Sequence, residues 1–148
     1  MIRDSYQKGF TLLEVMLSIA AIAIIAGVSI PVYQSFQVKN DLDIAANTIA
    51  QVFHRAQLLS QSGEGDSSWG VNISSGSITL FRGTSYASRD QGYDETYQMP
   101  LSLSPSGLSE VVFEKLTGLA QSTGTAVLTA TTSETKSITI NSKGTISY

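Results

Sequence analysis

The sequence contains no cysteine among its 148 residues. That excludes disulfides, thiolate metal sites, thiol catalysis and lipid attachment through cysteine. A small exported domain often relies on disulfides, so this one must hold together by packing or by assembly. Histidine occurs once, at His54, which removes any cysteine–histidine dyad and any histidine-built metal triad. Charged residues make up only 14% of the chain, and the net charge is −3. A mildly acidic chain with no long like-charge run is a poor general binder of polyanions. There are no internal repeats, and the length suits one modest domain plus an anchor.

What the chain does have is one long apolar run. Lys8-Gly9-Phe10-Thr11-Leu12-Leu13-Glu14 leads into apolar residues as far as Ile30, and between Phe10 and Ile30 the only charge is Glu14. As a helix this segment is about 31 Å long, close to the hydrocarbon thickness of a bilayer. Arg3 and Lys8 flank its N-terminal side, so the positive-inside rule keeps residues 1–9 cytoplasmic and places the remainder outside. A carboxylate within such a span costs roughly 2.5–3.5 kcal/mol on insertion scales, and such groups usually mark function.

A short polar leader ending in Gly9, then Phe10-Thr11-Leu12-Leu13-Glu14 and the apolar run, resembles the signal of type IV prepilins and of the pseudopilins of type II secretion. The resemblance implies that a prepilin peptidase cuts between Gly9 and Phe10 and methylates the new Phe10 terminus. It also implies that Glu14 sets the assembly register by neutralising the Phe10 amine of a neighbouring subunit, since a buried charge is tolerated only when paired. Because family members at a filament tip often lack this glutamate, its presence points to a place within the filament. Two other readings account for less. A secretory signal peptide cut at Ala21-Ile22-Ala23 would have Glu14 interrupting its apolar region and an apolar run continuing past the cut. A plain single-span anchor gives Gly9 and Glu14 no task.

Gly27 and Pro31 at the outer end of the span predict a helix kink, because proline lacks its N–H and clashes with the preceding turn. Helical periodicity then resumes. Val38, Leu42, Ala45, Ile49, Val52, Ala56 and Leu59 recur at spacings of four and three, which predicts one apolar face. Gln51, Arg55, Gln57 and other polar residues mostly take the remaining surface. The spacing predicts a single helix from about Phe10 to about Ser60, capped near Gly63. From Ser62 onward Ser, Thr and Gly dominate. Trp69–Ile73 and Ser77–Phe81 predict a hairpin, as do Ser137–Ile140 and Thr145–Tyr148 about the Asn141–Gly144 turn. Alternation also marks 97–103, 108–113 and 125–129. Leu116–Leu119 reads as a turn, and 83–95 as an exposed loop. The expected fold is α+β: a long N-terminal helix, transmembrane in its first half and amphipathic in its second, packed on an antiparallel β-sheet head. The divisions are 1–9 leader, 10–30 membrane or filament-core helix, 31–61 amphipathic half and 62–148 head. Within the family, Trp69–Val71, Thr79–Gly83 and Ile138–Gly144 resemble the GspH/FimT class of minor pilins and pseudopilins. The absent cysteine pair departs from many type IV major pilins.

Other chemistry finds little support in the sequence. His54 reads as a solvated or interface residue. The Gly63–Ser68 run, with Glu64 and Asp66, could ligate calcium but lacks the spacing of an EF-hand loop. Asp90, Asp94 and Glu95 likewise read as a solvated cluster. Asn72-Ile73-Ser74 matches a glycosylation sequon in a chain where serine is abundant, and Trp69 reads as core. Arg82 and Arg89 with Tyr86 and Tyr93 could stack on single-stranded nucleic acid, though the neighbouring carboxylates argue against DNA. The reading is a structural subunit with no catalytic residue, metal or cofactor. It would sit in the inner membrane with its C-terminal head outside and then move into a pilus or pseudopilus. The partners implied by the resemblance are other pilin subunits, a prepilin peptidase, an assembly platform and ATPase, and the lipid bilayer. A major pilin and a pilin-anchored surface-binding module remain the alternatives.

Overall fold

The computed structural model describes residues 9–148, leaving aside the side chains of residues 28–32 and 34. Residues 1–8, part of the expected 1–9 leader, and the side chain of Pro31, expected at a kink, therefore lie outside the described residues. Helix α1 spans Leu12–Ser62. The chain divides into two compact units, one ending at Phe36 and the other running from Gln37 to Tyr148. In the first, the described apolar side chains of α1 are exposed all round. Among the described residues no helix is long and apolar enough to cross a membrane. The span expected over 10–30 extends into residues 28–30, whose side chains are not described.

In the second unit, α1 is followed by a 3-10 turn at Glu64–Asp66 and eight strands: β1 Trp69–Ser74, β2 Ser77–Arg82, β3 Asp90–Gln98, β4 Leu103–Gly107, β5 Glu110–Phe113, β6 Gly124–Ala130, β7 Thr135–Ile140 and β8 Ile146–Ser147. They form two four-stranded sheets, ordered β3-β2-β1-β5 and β4-β6-β7-β8, with every pairing antiparallel. The antiparallel β-sheet head expected from the sequence is thus divided into two sheets. The first is closed by a long-range pairing that local alternation does not encode, β1 against β5 with Trp69 opposite Phe113.

Both sheets and α1 share one core. Leu42, Ala46, Ile49, Phe53 and Ala56 meet Val71, Leu80 and Phe113 from the first sheet and Leu103, Leu128 and Ile138 from the second. Phe53 and Phe113 contact edge to face at 6.4 Å between centroids. Each large side chain so buried contributes about 1.5–3 kcal/mol. The helix face is wider than the four-three stripe predicts, because Ala46, Ala50, Phe53 and Ser60 are buried beside it. A helix covered by two sheets needs that width, and the alanines let the strands approach closely.

The stretch expected as an exposed loop, 83–95, has two parts. Residues 90–95 belong to β3, an edge strand whose residues are mostly exposed. Charge and exposure are typical of an edge, where they discourage pairing with another chain. Residues 83–89 form a strap over the outer face of the first sheet. There Phe81 and Val112 are buried, and Tyr86 meets Phe81 edge to face at 5.5 Å. Gly70 makes room for this second layer, since a Cβ there would lie 2.5 Å from Phe81 Cζ and 2.9 Å from Val111 O.

The helix end is fixed by Ser60, which is fully buried. Its hydroxyl accepts the Trp69 N–H at 2.9 Å and donates to Phe113 O at 3.1 Å, joining α1 to the paired ends of β1 and β5. Replacing it leaves a buried backbone donor without a partner. Ser60→Ala is expected to cost about 1–3 kcal/mol, read as an earlier denaturant midpoint of the chain in detergent with Trp69, the sole tryptophan, as the fluorescent reporter. A midpoint equal to wild type would show that the hydroxyl contributes nothing net.

A second joint involves turn glycines. Gln57 donates from Nε2 to Gly118 O and Lys143 O, both at 3.0 Å. Gly144 has φ +75°, and a Cβ on it would collide with Gln57 Nε2. Gly144→Ala is therefore expected to destabilise by about 1–2 kcal/mol or more through left-handed strain and the lost amide bonds. Combining it with Gln57→Ala should cost less than the sum of the single changes. Strict additivity in the same denaturation assay would refute the joint.

Candidate processing and assembly site

The described part of the first unit begins with Gly9, Phe10 and Thr11, which are exposed and precede the helix. Thr11 is the N-cap of α1. Its Oγ1 accepts the Glu14 N–H at 3.2 Å, and its carbonyl accepts the Val15 N–H at 3.2 Å. Thr11-Leu12-Leu13-Glu14 thus has the pattern of a capping box, with threonine at the cap and glutamate three residues on. The sequence carried this signal, and the threonine's part in it is a role the apolar-run argument passed over.

Phe10 is 83% exposed. A Cβ added at Gly9 would meet no described atom within 4 Å. Packing against the described residues therefore does not require glycine at this position. Glu14 projects from the first turn, where the partial positive charge of the helix end favours a carboxylate. An amine generated at Phe10 would stand just outside the same positive end, where a cation is disfavoured unless a carboxylate compensates it. Phe10 and Glu14 are thus placed at one helix terminus with complementary electrostatic needs. Gly27 lies within α1.

In the second unit, Leu42, Ala45, Ile49, Val52 and Ala56 are buried, and Val38 and Leu59 are partly buried against the core. Sequence reasoning missed Ser60 and Gln57 as attachment points. The periodicity places Gln57 on the free surface, but its amide bonds two turns of the head. Gln61 packs where a Cβ on Gly118 would fall. Nothing local marks a glutamine as a clamp, because its partners lie far along the chain.

The polar groups singled out in the sequence are largely spent on one another. Arg82 pairs with Asp90 at 2.5 Å, Arg89 with Asp94 at 2.8 Å and Arg55 with Glu95 at 2.6 Å. The Arg82 guanidinium lies 3.5 Å over the Tyr93 ring and that of Arg89 3.8 Å over Tyr86, cation–π contacts in which each ring face meets a charge. The Asp94 hydrogen bond raises the Arg89 pKa above its usual value. The Arg89–Asp94 pair therefore ties the strap to β3, while the cations and rings of the group face each other. Asp66 bonds Lys115, which lowers the Asp66 pKa. His54 is exposed. Trp69 is buried, with its Nε1 donating to Glu64 O at 3.0 Å. Asn72 lies in β1, an inner strand, and Ser74 Oγ donates to its Oδ1 at 2.7 Å. Among the described residues no cluster of His, Asp and Glu could hold a metal ion.

Comparison with curated proteins and with solved structures finds no match. Comparison with family models does: residues 4–30 match the prokaryotic N-terminal methylation motif. The matched residues contain Gly9, Phe10, the Thr11 cap, Glu14 and the apolar run, and the match supports a type IV pilin-like prepilin N-terminus for this chain.

Proposed function

We propose that the chain is a structural subunit of a type IV pilus or type II secretion pseudopilus, and specifically a minor pilin or pseudopilin of the GspH/FimT class. The observation that carries this reading is the methylation-motif match over residues 4–30. In support of it, α1 between Leu12 and Ile25 exposes apolar side chains on every face. A helix apolar all round is stable in water only when something else covers it. A bilayer covers it before assembly and the helices of other subunits cover it afterwards, which fits a subunit held in the inner membrane and then drawn into a filament.

The finer assignment to the GspH/FimT class is favoured by the three head segments noted above. They fall in β1, at the end of β2, and from β7 into the turn before β8. Gly9 provides the cut, Phe10 the methylated amine and Glu14 the carboxylate that pairs with the amine of the next subunit. The buried face of residues 38–59 joins the filament-forming helix to the head. The chain acts by assembly, and the peptidase, platform protein and ATPase supply the chemistry and the work.

Expression of the full chain with a prepilin peptidase should yield an N-terminal peptide whose mass corresponds to N-methylated Phe10. An intact Met1, or a start near Ile24, would sink the reading. Glu14→Ala should still be cut after Gly9, yet its incorporation into sheared filaments should fall by about tenfold or more, because the neighbour's amine loses its partner in an apolar setting. Normal incorporation of this variant would separate Glu14 from the assembly register.

A further inference from the structure

The geometry ahead of α1 bears on how the leader is removed. A peptide bond inside a helix has its N–H and C=O engaged in the ladder, whereas the bonds before the cap are free of it. Here the boundary falls between Thr11 and Leu12, leaving the Gly9–Phe10 bond outside by a narrow margin. Two features resist extension of the helix backward across that bond. Gly9 is a poor helix former. Thr11 ends the helix by accepting the Glu14 N–H with its own side chain. Upstream, Asp4 and Ser5 are residue types that cap equally well. A helix restarted there would enclose the bond.

We propose that Thr11 is a positioning residue for leader removal: its hydroxyl fixes the start of α1 at Leu12 and so holds the Gly9–Phe10 bond outside the helix, within reach of a peptidase. This rests on the cut proposed above. It also gives Gly9 a reason that packing among the described residues does not, since a Cβ at Gly9 would meet none of their atoms within 4 Å. Glycine there opposes the helix and leaves the backbone uncovered for the enzyme.

The test is a pulse-labelled time course of leader removal from the full chain in membranes containing a prepilin peptidase, comparing wild type, Thr11→Val and Thr11→Ser. Valine keeps the shape and branching of threonine but has no acceptor, and serine keeps the acceptor. Thr11→Val should be cut about fivefold more slowly, and Thr11→Ser within about twofold of wild type, matching the usual effect of a lost cap. Amide exchange of the uncut chain in detergent supplies the second readout. The Glu14 amide should exchange faster in Thr11→Val and remain protected in Thr11→Ser. Cutting of Thr11→Val at the wild-type rate would overturn the proposal, as would equal slowing by serine. Slow cutting with unchanged exchange at Glu14 would also overturn it, because the hydroxyl would then be serving the enzyme directly. A wild-type chain that is never cut would instead overturn the cleavage reading on which the proposal stands.

Discussion

The head depends on one constraint: residues 42–60 of α1 must bury a wide apolar face, and no single sheet of this chain covers it. Leu42, Ile49 and Phe53 are enclosed only because strands from both sheets converge on them. The alanines at 45, 46, 50 and 56 set how closely the strands approach, so the small residues matter as much as the large ones. With no cysteine in the chain, this shared core and a few hydrogen bonds at the helix end do the work that disulfides do in many small exported domains.

Much of this was legible in the sequence, for reasons particular to each element. The helix was visible because its stripe repeats with a period near 3.6 over many turns, and the observed Leu12–Ser62 lies within two residues of the expected ends. The β1–β2 and β7–β8 hairpins were visible because alternating residues flank short Gly-containing turns. β3 was hidden, since Asp90–Gln98 is an edge strand with charge on it and only Tyr93 and Tyr97 as large side chains. β4 carries Pro105, which an edge strand tolerates and a sequence reading counts against a strand.

At the chain's N-terminus the sequence was more informative than the structure, because Gly9, Phe10 and Glu14 are marked by residue type and spacing. What the structure adds is the Thr11 cap. In the head the balance is reversed. Gln57, Ser60 and the β1–β5 pairing are relations between residues far apart in the chain, and no local pattern announces them. The Arg82–Tyr93 and Arg89–Tyr86 pairs were legible as a group, but whether such a group faces a ligand or itself is a matter of rotamer and strand register.

The placement of the directional bonds along α1 has a mechanical consequence. Within the head unit, the N-terminal part of the helix face meets the sheets through Leu42, Ala45, Ala46 and Ile49, contacts that resist separation but offer little resistance to sliding. Beside them stands the exposed Asp43–Lys136 pair at 2.6 Å, which is worth little. The bonds with fixed direction, at Gln57 and Ser60, lie near the other end. Tension entering the head through its helix therefore passes along the apolar face before it reaches them, and they act in parallel, anchored to β1, to β5 and to two turns distant in sequence. Such an arrangement shares a pull among several strands at once, so the helix cannot be drawn out by peeling one strand at a time.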